Sequence, residues 1–421
     1  MSLAVLGARW DGRDAVLRVE KGRVAELGPD VSLREEDETL DARGMTLVPG
    51  LVNSHTHAAM TLLRGYGDDM PLMDWLEHKI WPVEAKLDAD DVYWGARLAC
   101  AEMIRTGTVS FRDMYWQPGA TGRAVEDSGL RAAVGAPLID GGDPGSDAKL
   151  EELKEFAERS LGQLESAGDR VTAELAPHAI YTVSEPALRW IGERAAQDGL
   201  AVHIHLSETE DEVRDCVAAR GVRPAFYLDR VGLLGPRTVL AHGVWLGEAE
   251  LDLIAERGAT VVTNPVANQK LAVGGVFPYR AAHERGIHLA LGTDGPGSNN
   301  SFDLFTEMKF LALIQKHAAR DPAVAPAAEV WEIATGAGSP LAPESGRLEI
   351  GEPADFLLVR TDAPELTLGD MTANLVYATS GAEVVDTTVV GGHVLMRSGV
   401  VGGVDEIRAR VLERARRLGI T

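Results

Sequence analysis

Two pairs of histidines in the chain are each separated by a single residue, His55 with His57 and His203 with His205. In an extended strand, side chains two positions apart point to the same side. His55 and His57 can therefore bind one metal ion together. In the second pair we expect His205 to be the ligand, because it lies nearer the end of its apolar run. We expect His203 to be a buried imidazole held by hydrogen bonds.

His242 and Asp294 extend this set of potential ligands. Three histidines and one aspartate suit Zn²⁺, with Fe²⁺ as the alternative. If all four side chains bind, an added water makes the site five-coordinate. In the other interpretation, His242 is not a ligand and instead holds the water and the negative charge that develops on it.

Glu208 follows His205 by three residues, where the chain is predicted to leave a strand and enter a loop. A carboxylate beside a metal-bound water is well placed to act as general acid and base. The alternative is a helix-start carboxylate, which the helix dipole stabilises. Together with the histidines, Glu208 predicts hydrolytic chemistry at one divalent metal ion.

Eight apolar, β-rich runs alternate with stretches of helical spacing in the middle of the chain, which predicts a (β/α)₈ barrel of the TIM type. Each run ends in a histidine, a carboxylate or an amide, and the C-terminal ends of barrel strands carry the active site. No glycine-rich dinucleotide fingerprint follows the first run, which argues against a Rossmann fold. The runs are 47–57, 108–113, 130–140, 171–178, 201–208, 238–242, 259–264 and 288–294.

Both ends of the chain have short strand-like segments with glycine turns. They predict one small β-sandwich domain that the two ends form together. The expected division is 1–46 and 345–403 for the β-sandwich, 47–344 for the barrel, and 404–421 for a C-terminal amphipathic helix.

The composition is that of a soluble globular protein, with 421 residues, 45% hydrophobic and 25% charged. A net charge of −23 repels phosphate backbones, so nucleic acid is excluded as the expected partner. Two cysteines are too few for a disulfide framework. Without an apolar run of spanning length or a signal-peptide pattern, we expect a cytoplasmic protein with a small-molecule substrate and no membrane partner. A homo-oligomer is compatible with this composition.

Four segments together resemble the amidohydrolase superfamily, namely residues 49–57, 205–208, 241–242 and 292–295. The finer resemblance is to its branch of 5-methylthioadenosine/S-adenosylhomocysteine deaminases and related chlorohydrolases. It extends over nearly the whole chain, including the split β-domain.

The resemblance implies a role for each matching residue. It makes Glu208 the proton shuttle and His242 the residue that orients the attacking water, with Asp294 also holding that water. The implied metal ligands are His55, His57, His205 and Asp294. Many superfamily members hold two metals with a carboxylated lysine on the fourth strand, but the run 171–178 contains no lysine, so the resemblance implies a single metal.

The same branch implies four substrate-binding residues, Trp75, Glu84, His178 and Ser298. Trp75 and Glu84 match the cap over a nucleoside, where a carboxylate can accept hydrogen bonds from both ribose hydroxyls. His178 matches a histidine that contacts the substrate, and Ser298 matches a serine near the purine. The alternatives are core packing for Trp75 and a solvated helix-end charge for Glu84.

One position departs from the branch. Members that accept S-adenosylhomocysteine have an arginine just before the end of the third strand, facing the amino-acid carboxylate. Ala136 stands at that place, and Arg131 is five positions earlier. The missing carboxylate clamp predicts a nucleoside without that tail, unless Arg131 reaches the site.

The predicted reaction is hydrolytic deamination of a 6-aminopurine nucleoside, such as adenosine or 5′-methylthioadenosine, to a 6-oxo product and ammonia. One alternative is the same machinery acting on guanine-type, triazine or other modified adenosine substrates. The alternative from another class is a non-catalytic assembly protein on the same fold. That alternative predicts a broken ligand set, whereas all five core positions are present.

Overall fold

Eight parallel strands that follow one another in chain order form a barrel, as the alternating runs predict. The computed structural model describes residues 2–143, 145–342 and 345–420. We number the barrel strands 1 to 8 in chain order, and the third is split in two. Their bounds are Leu51–Thr56, Thr108–Met114, Arg131–Gly135 with Pro137–Leu138, Val171–Pro177, Ala201–Leu206, Thr238–His242, Thr260–Thr263 and Leu289–Leu291.

The barrel closes at a seam between strands 1 and 8. There Thr56 pairs with Asp294 in a single parallel bridge, and the Asp294 N–H donates to the carbonyl oxygen of His55 at 3.0 Å. The backbone contact at the seam thus lies at two of the predicted metal ligands.

The first predicted run, 47–57, is two strands and not one. Met45–Pro49 pairs with Phe356–Arg360 in the sheet formed by the chain ends, and barrel strand 1 begins only at Leu51. Gly50 makes this change of sheet possible, because a Cβ there would lie 2.3 Å from the Val109 side chain. Apolar residues lie on both sides of Gly50, so the apolar pattern alone does not reveal the break.

Helices surround the barrel and link its strands. The helix after strand 1, Ala89–Arg105, begins with a reciprocal capping box between Asp88 and Asp91. The others are Leu72–Trp75, Leu76–Ile80 (a π-helical turn), Trp81–Glu84, Pro118–Ser128, Asp147–Glu165, Glu185–Asp198, Glu210–Arg220, Pro224–Arg230, Glu248–Arg257, Pro265–Lys270, Tyr279–Glu284, Leu304–Ala319, Ala327–Thr335, Met371–Tyr377, Gly381–Val384 and Val404–Leu418, with 3₁₀ turns at Ala58–Leu63 and Pro364–Leu366. None of the helices in the described ranges is both long and apolar enough to span a membrane.

Both ends of the chain contribute to one nine-stranded mixed sheet, as the strand-like termini predict. Its apolar side chains, among them Leu17, Leu47 and Phe356, form a core separate from that of the barrel. Its strands are Ser2–Trp10, Arg13–Glu20, Arg23–Gly28, Glu38–Asp41, Met45–Pro49, Phe356–Arg360, Val385–Val390, His393–Arg397 and Val400–Val401.

Candidate active site

Imidazoles and a carboxylate from strands 1, 5, 6 and 8 converge at the C-terminal mouth of the barrel. Asp294 Oδ1 lies 3.1 Å from His57 Nε2 and 3.4 Å from His55 Nε2. His205 Nε2 lies 3.4 Å from His57 Nε2. Nitrogen atoms of His55, His57 and His205 lie within 4.8 Å of one another, and the same holds for ligand atoms of His55, His242 and Asp294.

These side chains fit a divalent metal ion. His57 and His205 use Nδ1 to contact the carbonyl oxygens of Met114 and His178, each at 2.7 Å, which leaves both Nε2 atoms for an ion. His55 Nε2 is buried and has no hydrogen-bond partner among the described residues. A buried nitrogen without a hydrogen-bond partner beside a carboxylate fits the position of a metal ligand.

Electrostatics within the cluster also favour a cation. Burial alone would raise the pKa of Asp294, but the imidazoles of His55 and His57 hold it well below its usual range. Burial lowers the pKa of His205 well below its usual value. A metal site needs an ionised carboxylate and neutral imidazoles, and the surroundings of Asp294 and His205 favour both states.

The backbone at three of these strand ends is strained. Ser207, His242 and Asp294 have φ values of 51°, 74° and 62°, in the left-handed region that non-glycine residues rarely occupy. Such conformations cluster where a side chain must point in a required direction. Here they occur where the chain leaves strands 5, 6 and 8.

Glu208 and His242 lie side by side above the cluster, with Glu208 Oε1 3.8 Å from His242 Nδ1. Glu212 accepts hydrogen bonds from the Ser207 and Glu208 N–H groups, each at 2.9 Å, and so fixes the turn that carries Glu208. Burial raises the pKa of Glu208 above its usual value. A raised pKa suits a carboxyl group that must both take up and release a proton.

A cavity of about 100 Å³ lies next to the cluster. The potential metal ligands lie on one side of it, together with Glu208 and His242. The four residues expected to bind substrate also line it. The lining includes His57, Trp75, Glu84, His178, His205, Glu208, His242, Asp294 and Ser298.

Glu84 lies at the wall of this cavity with its carboxylate largely buried. The Trp116 indole donates a hydrogen bond to Glu84 Oε2 at 3.3 Å. Burial raises the pKa of Glu84. The Tyr115 hydroxyl also interacts with this carboxylate. Because a carboxylate offers about four acceptor positions, these two donors leave acceptor capacity for the hydroxyls of a ligand. The environment of Glu84 therefore differs from that of a solvated helix-end charge, which was the alternative interpretation.

Ser298 and His178 also support the cluster itself. The Ser298 hydroxyl donates to Asp294 Oδ2 at 2.7 Å. The His178 carbonyl oxygen contacts His205 Nδ1, and the ring of His178 faces the cavity. Both residues therefore orient a cluster member and line the cavity at the same time.

Two strand-end carboxylates serve the backbone instead of the site. Asp113 accepts from the Ala58 N–H at 2.6 Å and from the Thr56 hydroxyl at 2.7 Å. Asp140 accepts from the N–H of Ser184 at 2.8 Å. A polar residue at a strand end is thus compatible with a structural role as well as a catalytic one.

Arg131 does not reach the cavity. Its guanidinium pairs with Asp355, at 3.1 Å, at the opposite end of the barrel. Ala136 is buried and presents no charge. Neither residue supplies a carboxylate clamp.

The aromatic or apolar residues that line the cavity and that sequence reasoning did not single out include Tyr115, Trp116, Ile139 and Tyr181. Each of these four follows a barrel strand within a few positions. This position just after a strand was the signal that could have identified them, because the loops that follow barrel strands build the pocket.

Comparison with known proteins identifies the family of this chain. The model of the family described as "Amidohydrolase family" matches residues 46–395. A 5′-deoxyadenosine deaminase of Methanoregula boonei is 46% identical over 401 residues, covering 94% of this chain and 90% of the relative. A 5-methylthioadenosine/S-adenosylhomocysteine deaminase 1 of Archaeoglobus fulgidus is 41% identical, covering 95% and 93%.

Solved structures are also similar to this chain. An adenosine deaminase from Xanthomonas campestris with bound zinc has a TM-score of 0.89 and 34% identity, covering 96% of this chain and 93% of that one. Atrazine chlorohydrolase TrzN from Arthrobacter aurescens shares the fold, with a TM-score of 0.88 at 22% identity and coverage of 99% of both chains. The family match and the full-length relatives confirm the predicted resemblance: the chain belongs to the amidohydrolase family.

Proposed function

We propose that the chain is a metal-dependent hydrolytic deaminase of adenosine-type nucleosides, which converts a 6-aminopurine to a 6-oxopurine and ammonia. The observation that carries the proposal is the cavity, which has a metal-type cluster and a buried acid–base carboxyl at one side and Glu84 at another. Its full-length relatives, named as adenosine-type deaminases, support the same reaction.

We assign His55, His57, His205 and Asp294 as the residues that would hold one divalent ion, with zinc as the expected metal and iron as the alternative. When bound, such an ion acidifies water and so makes a nucleophile available at neutral pH. Strand 4 contains no lysine, which supports a single ion.

The residues of the chain then move protons and hold charge. Glu208 takes a proton from the attacking water and passes it to the purine N1 while the water oxygen bonds to C6. His242 and Asp294 orient that water and hold it against the ring. The remaining hydroxyl proton passes to the amino group, the C6–N bond breaks, and ammonia leaves.

The sugar end of the cavity favours a small, apolar 5′ group. Glu84 is placed to accept hydrogen bonds from ribose hydroxyls. Ala136 supplies no charge, and Arg131 is engaged with Asp355. A carboxylate brought into this site would lose its hydration without gaining a partner. We therefore expect 5′-deoxyadenosine and 5′-methylthioadenosine to be better substrates than S-adenosylhomocysteine.

A comparison of kcat/KM for these three nucleosides, with ammonia release as the readout, tests the proposal. We expect the first two to exceed S-adenosylhomocysteine by at least about tenfold, the discrimination expected of one unpaired polar group. The Arg131→Gln variant is the matched control and should leave that ratio unchanged. Equal values, or a ratio that changes with Arg131, would show that a cation does reach the carboxylate. Activity on a chlorinated triazine but on no nucleoside would contradict the assigned reaction.

The barrel accounts for the whole proposed site, because every assigned residue lies between His55 and Ser298. We propose that segments 1–46 and 345–403 form a supporting β-domain and that 404–421 is an appended helix. We also propose a cytoplasmic location and a small-molecule nucleoside as the partner. A homo-oligomer stays a prediction. Light scattering on the purified protein would measure the oligomeric state.

A further inference from the structure

Behind His55, a line of buried polar side chains runs from the metal-type cluster towards the opposite end of the barrel. His55 Nδ1 lies 2.8 Å from His203 Nε2, and His203 Nδ1 lies 3.0 Å from Glu174 Oε1. The other oxygen of Glu174 pairs with the guanidinium of Arg112. The side chains of His203 and Glu174 are fully buried, whereas that of Arg112 is 14% exposed and lines a separate cavity at the N-terminal end of the barrel.

The donors and acceptors in this line permit only one arrangement of protons when a metal is bound. To bind an ion through Nε2, a neutral His55 must carry its proton on Nδ1. That proton is donated to His203 Nε2, which must then be an acceptor. His203 therefore carries its own proton on Nδ1 and donates it to the carboxylate of Glu174. Arg112 can only donate, and it satisfies the second oxygen of Glu174.

We propose that His203, Glu174 and Arg112 are positioning residues, which hold His55 in the tautomer whose Nε2 lone pair faces the metal. They come from strands 5, 4 and 2, while His55 comes from strand 1. The line thus links four strands of the barrel to a single ligand nitrogen. This inference rests on the metal site and not on the identity of the substrate, so metal affinity tests it independently of the proposed reaction.

The Glu174→Gln variant tests the proton arrangement with almost no change in shape. Arg112 requires an oxygen, so the amide oxygen of the new side chain must face it and the NH₂ group must face His203 Nδ1. His203 is then forced to accept at Nδ1 and to donate from Nε2, which moves the proton of His55 to its own Nε2. We expect the affinity for Zn²⁺ to fall about 10–100-fold, the range found when the partner of a ligand histidine is lost.

A second substitution should restore much of that loss. In the double variant Glu174→Gln, Arg112→Met, nothing forces the amide oxygen away from His203. The amide can rotate, present its oxygen to His203 Nδ1, and direct its NH₂ group towards the cavity at the N-terminal end. We expect the double variant to bind Zn²⁺ more tightly than Glu174→Gln alone, although it carries more changes.

Glu250 provides a matched control. Its carboxylate is also fully buried, pairs with Arg223 at 2.7 Å, and has no contact with the cluster. Glu250→Gln should leave Zn²⁺ affinity within about twofold of the unsubstituted protein. Affinities are measured by competition with a chromophoric chelator, and circular dichroism confirms that each variant is folded.

The proposal is overturned if Glu174→Gln binds Zn²⁺ as tightly as the unsubstituted protein, or if the double variant is no tighter than the single one. A measurement without substitutions covers the case in which a variant does not fold. Long-range ¹H–¹⁵N spectra of histidine-labelled, zinc-loaded protein report which ring nitrogen carries the proton. We expect His203 to be protonated on Nδ1 only, and protonation on Nε2 would refute the arrangement.

Discussion

Glu208 is the residue on which the proposed chemistry depends most directly. Burial raises its pKa, and it also raises the pKa of Glu212, beneath the same turn, to about 7. Glu212 holds the two N–H groups that orient this turn. The result is a proton carrier at a fixed position with a pKa moved towards the working pH, which is what general acid–base catalysis requires.

Replacing Glu208 by Gln keeps its size and polarity and removes its ability to carry a proton. We expect turnover to fall by at least about 10²-fold, because general acid–base catalysis usually contributes 10²–10⁴-fold. Metal content, measured by atomic emission, should stay at one ion per chain, since Glu208 is not an assigned ligand. Near-normal turnover in the metal-loaded variant would show that another residue moves the proton.

Residue spacing shows which side chains share one face of a strand, but it does not show which side chains of other strands they contact. His55 and His57 could be recognised because alternation along a strand is a local property. The contact of His203 with His55 could not be derived, because it joins strands 5 and 1, which only the closed barrel brings together. The hydrogen bond from Ser298 to Asp294 is local in sequence, but it depends on the shape of the turn after strand 8. The place of Arg131 at the far end of the barrel likewise depends on strand direction in the folded molecule.

Among the secondary-structure elements, the C-terminal helix Val404–Leu418 supports the site indirectly, through the helix Ala89–Arg105. Arg414 and Arg417 pair with Asp91, whose side chain is fully buried at the start of Ala89–Arg105. That helix approaches the 3₁₀ turn after His57 so closely at Gly95 that a Cβ there would lie 2.7 Å from the Ala59 carbonyl oxygen. The C-terminal helix therefore holds the helix that backs a proposed ligand.

Removing both arginines in Arg414→Gln, Arg417→Gln leaves Asp91 buried without a charged partner. We expect the free energy of unfolding to fall by about 3 kcal/mol, as when one side of a buried ion pair is deleted. Urea denaturation measures the change. Arg408→Gln on the same helix is the control, because its pair with Asp405 is exposed, and it should change stability by less than about 0.5 kcal/mol. Equal effects in the two variants would mean that the buried pair does not stabilise the fold.

The order of elements was readable from the sequence, but their boundaries were less so. Alternation of apolar runs and helical spacing predicted eight barrel strands, and the C-terminal helix Val404–Leu418 begins at the predicted residue. The break at Gly50 was missed because a glycine between apolar residues does not show which sheet each half joins. That choice depends on pairing with Phe356–Arg360, far along the chain.

At the scale of the whole molecule, the proposed metal ligands lie across the seam of the barrel. His55 and His57 come from strand 1 and Asp294 from the end of strand 8, where the single bridge closes the sheet. An ion bound by these three residues joins the first and last strands directly. It therefore completes a barrel that its backbone closes only weakly.

Chelation of the metal should accordingly destabilise the protein and loosen the seam first. Zinc at 100 times its Kd contributes about 2.7 kcal/mol to stability by mass action, so we expect a lower Tm in the chelated protein. Hydrogen exchange should accelerate in Leu51–Thr56 and Leu289–Leu291 more than in Val171–Pro177 on the opposite side. His55→Gln is the control and should show a much smaller response to zinc. Uniform exchange in both states would contradict a role of the ion in closing the barrel.

The sheet built from both chain ends has a consequence for synthesis on the ribosome. Met45–Pro49 is made roughly 300 residues before its partner Phe356–Arg360, and at about 5–20 residues per second this gap lasts about 15–60 s. During that interval the nascent chain carries an unpaired strand edge, which invites pairing with other chains. The rate of translation thus sets how long each new molecule is open to aggregation before its own C-terminal part protects it.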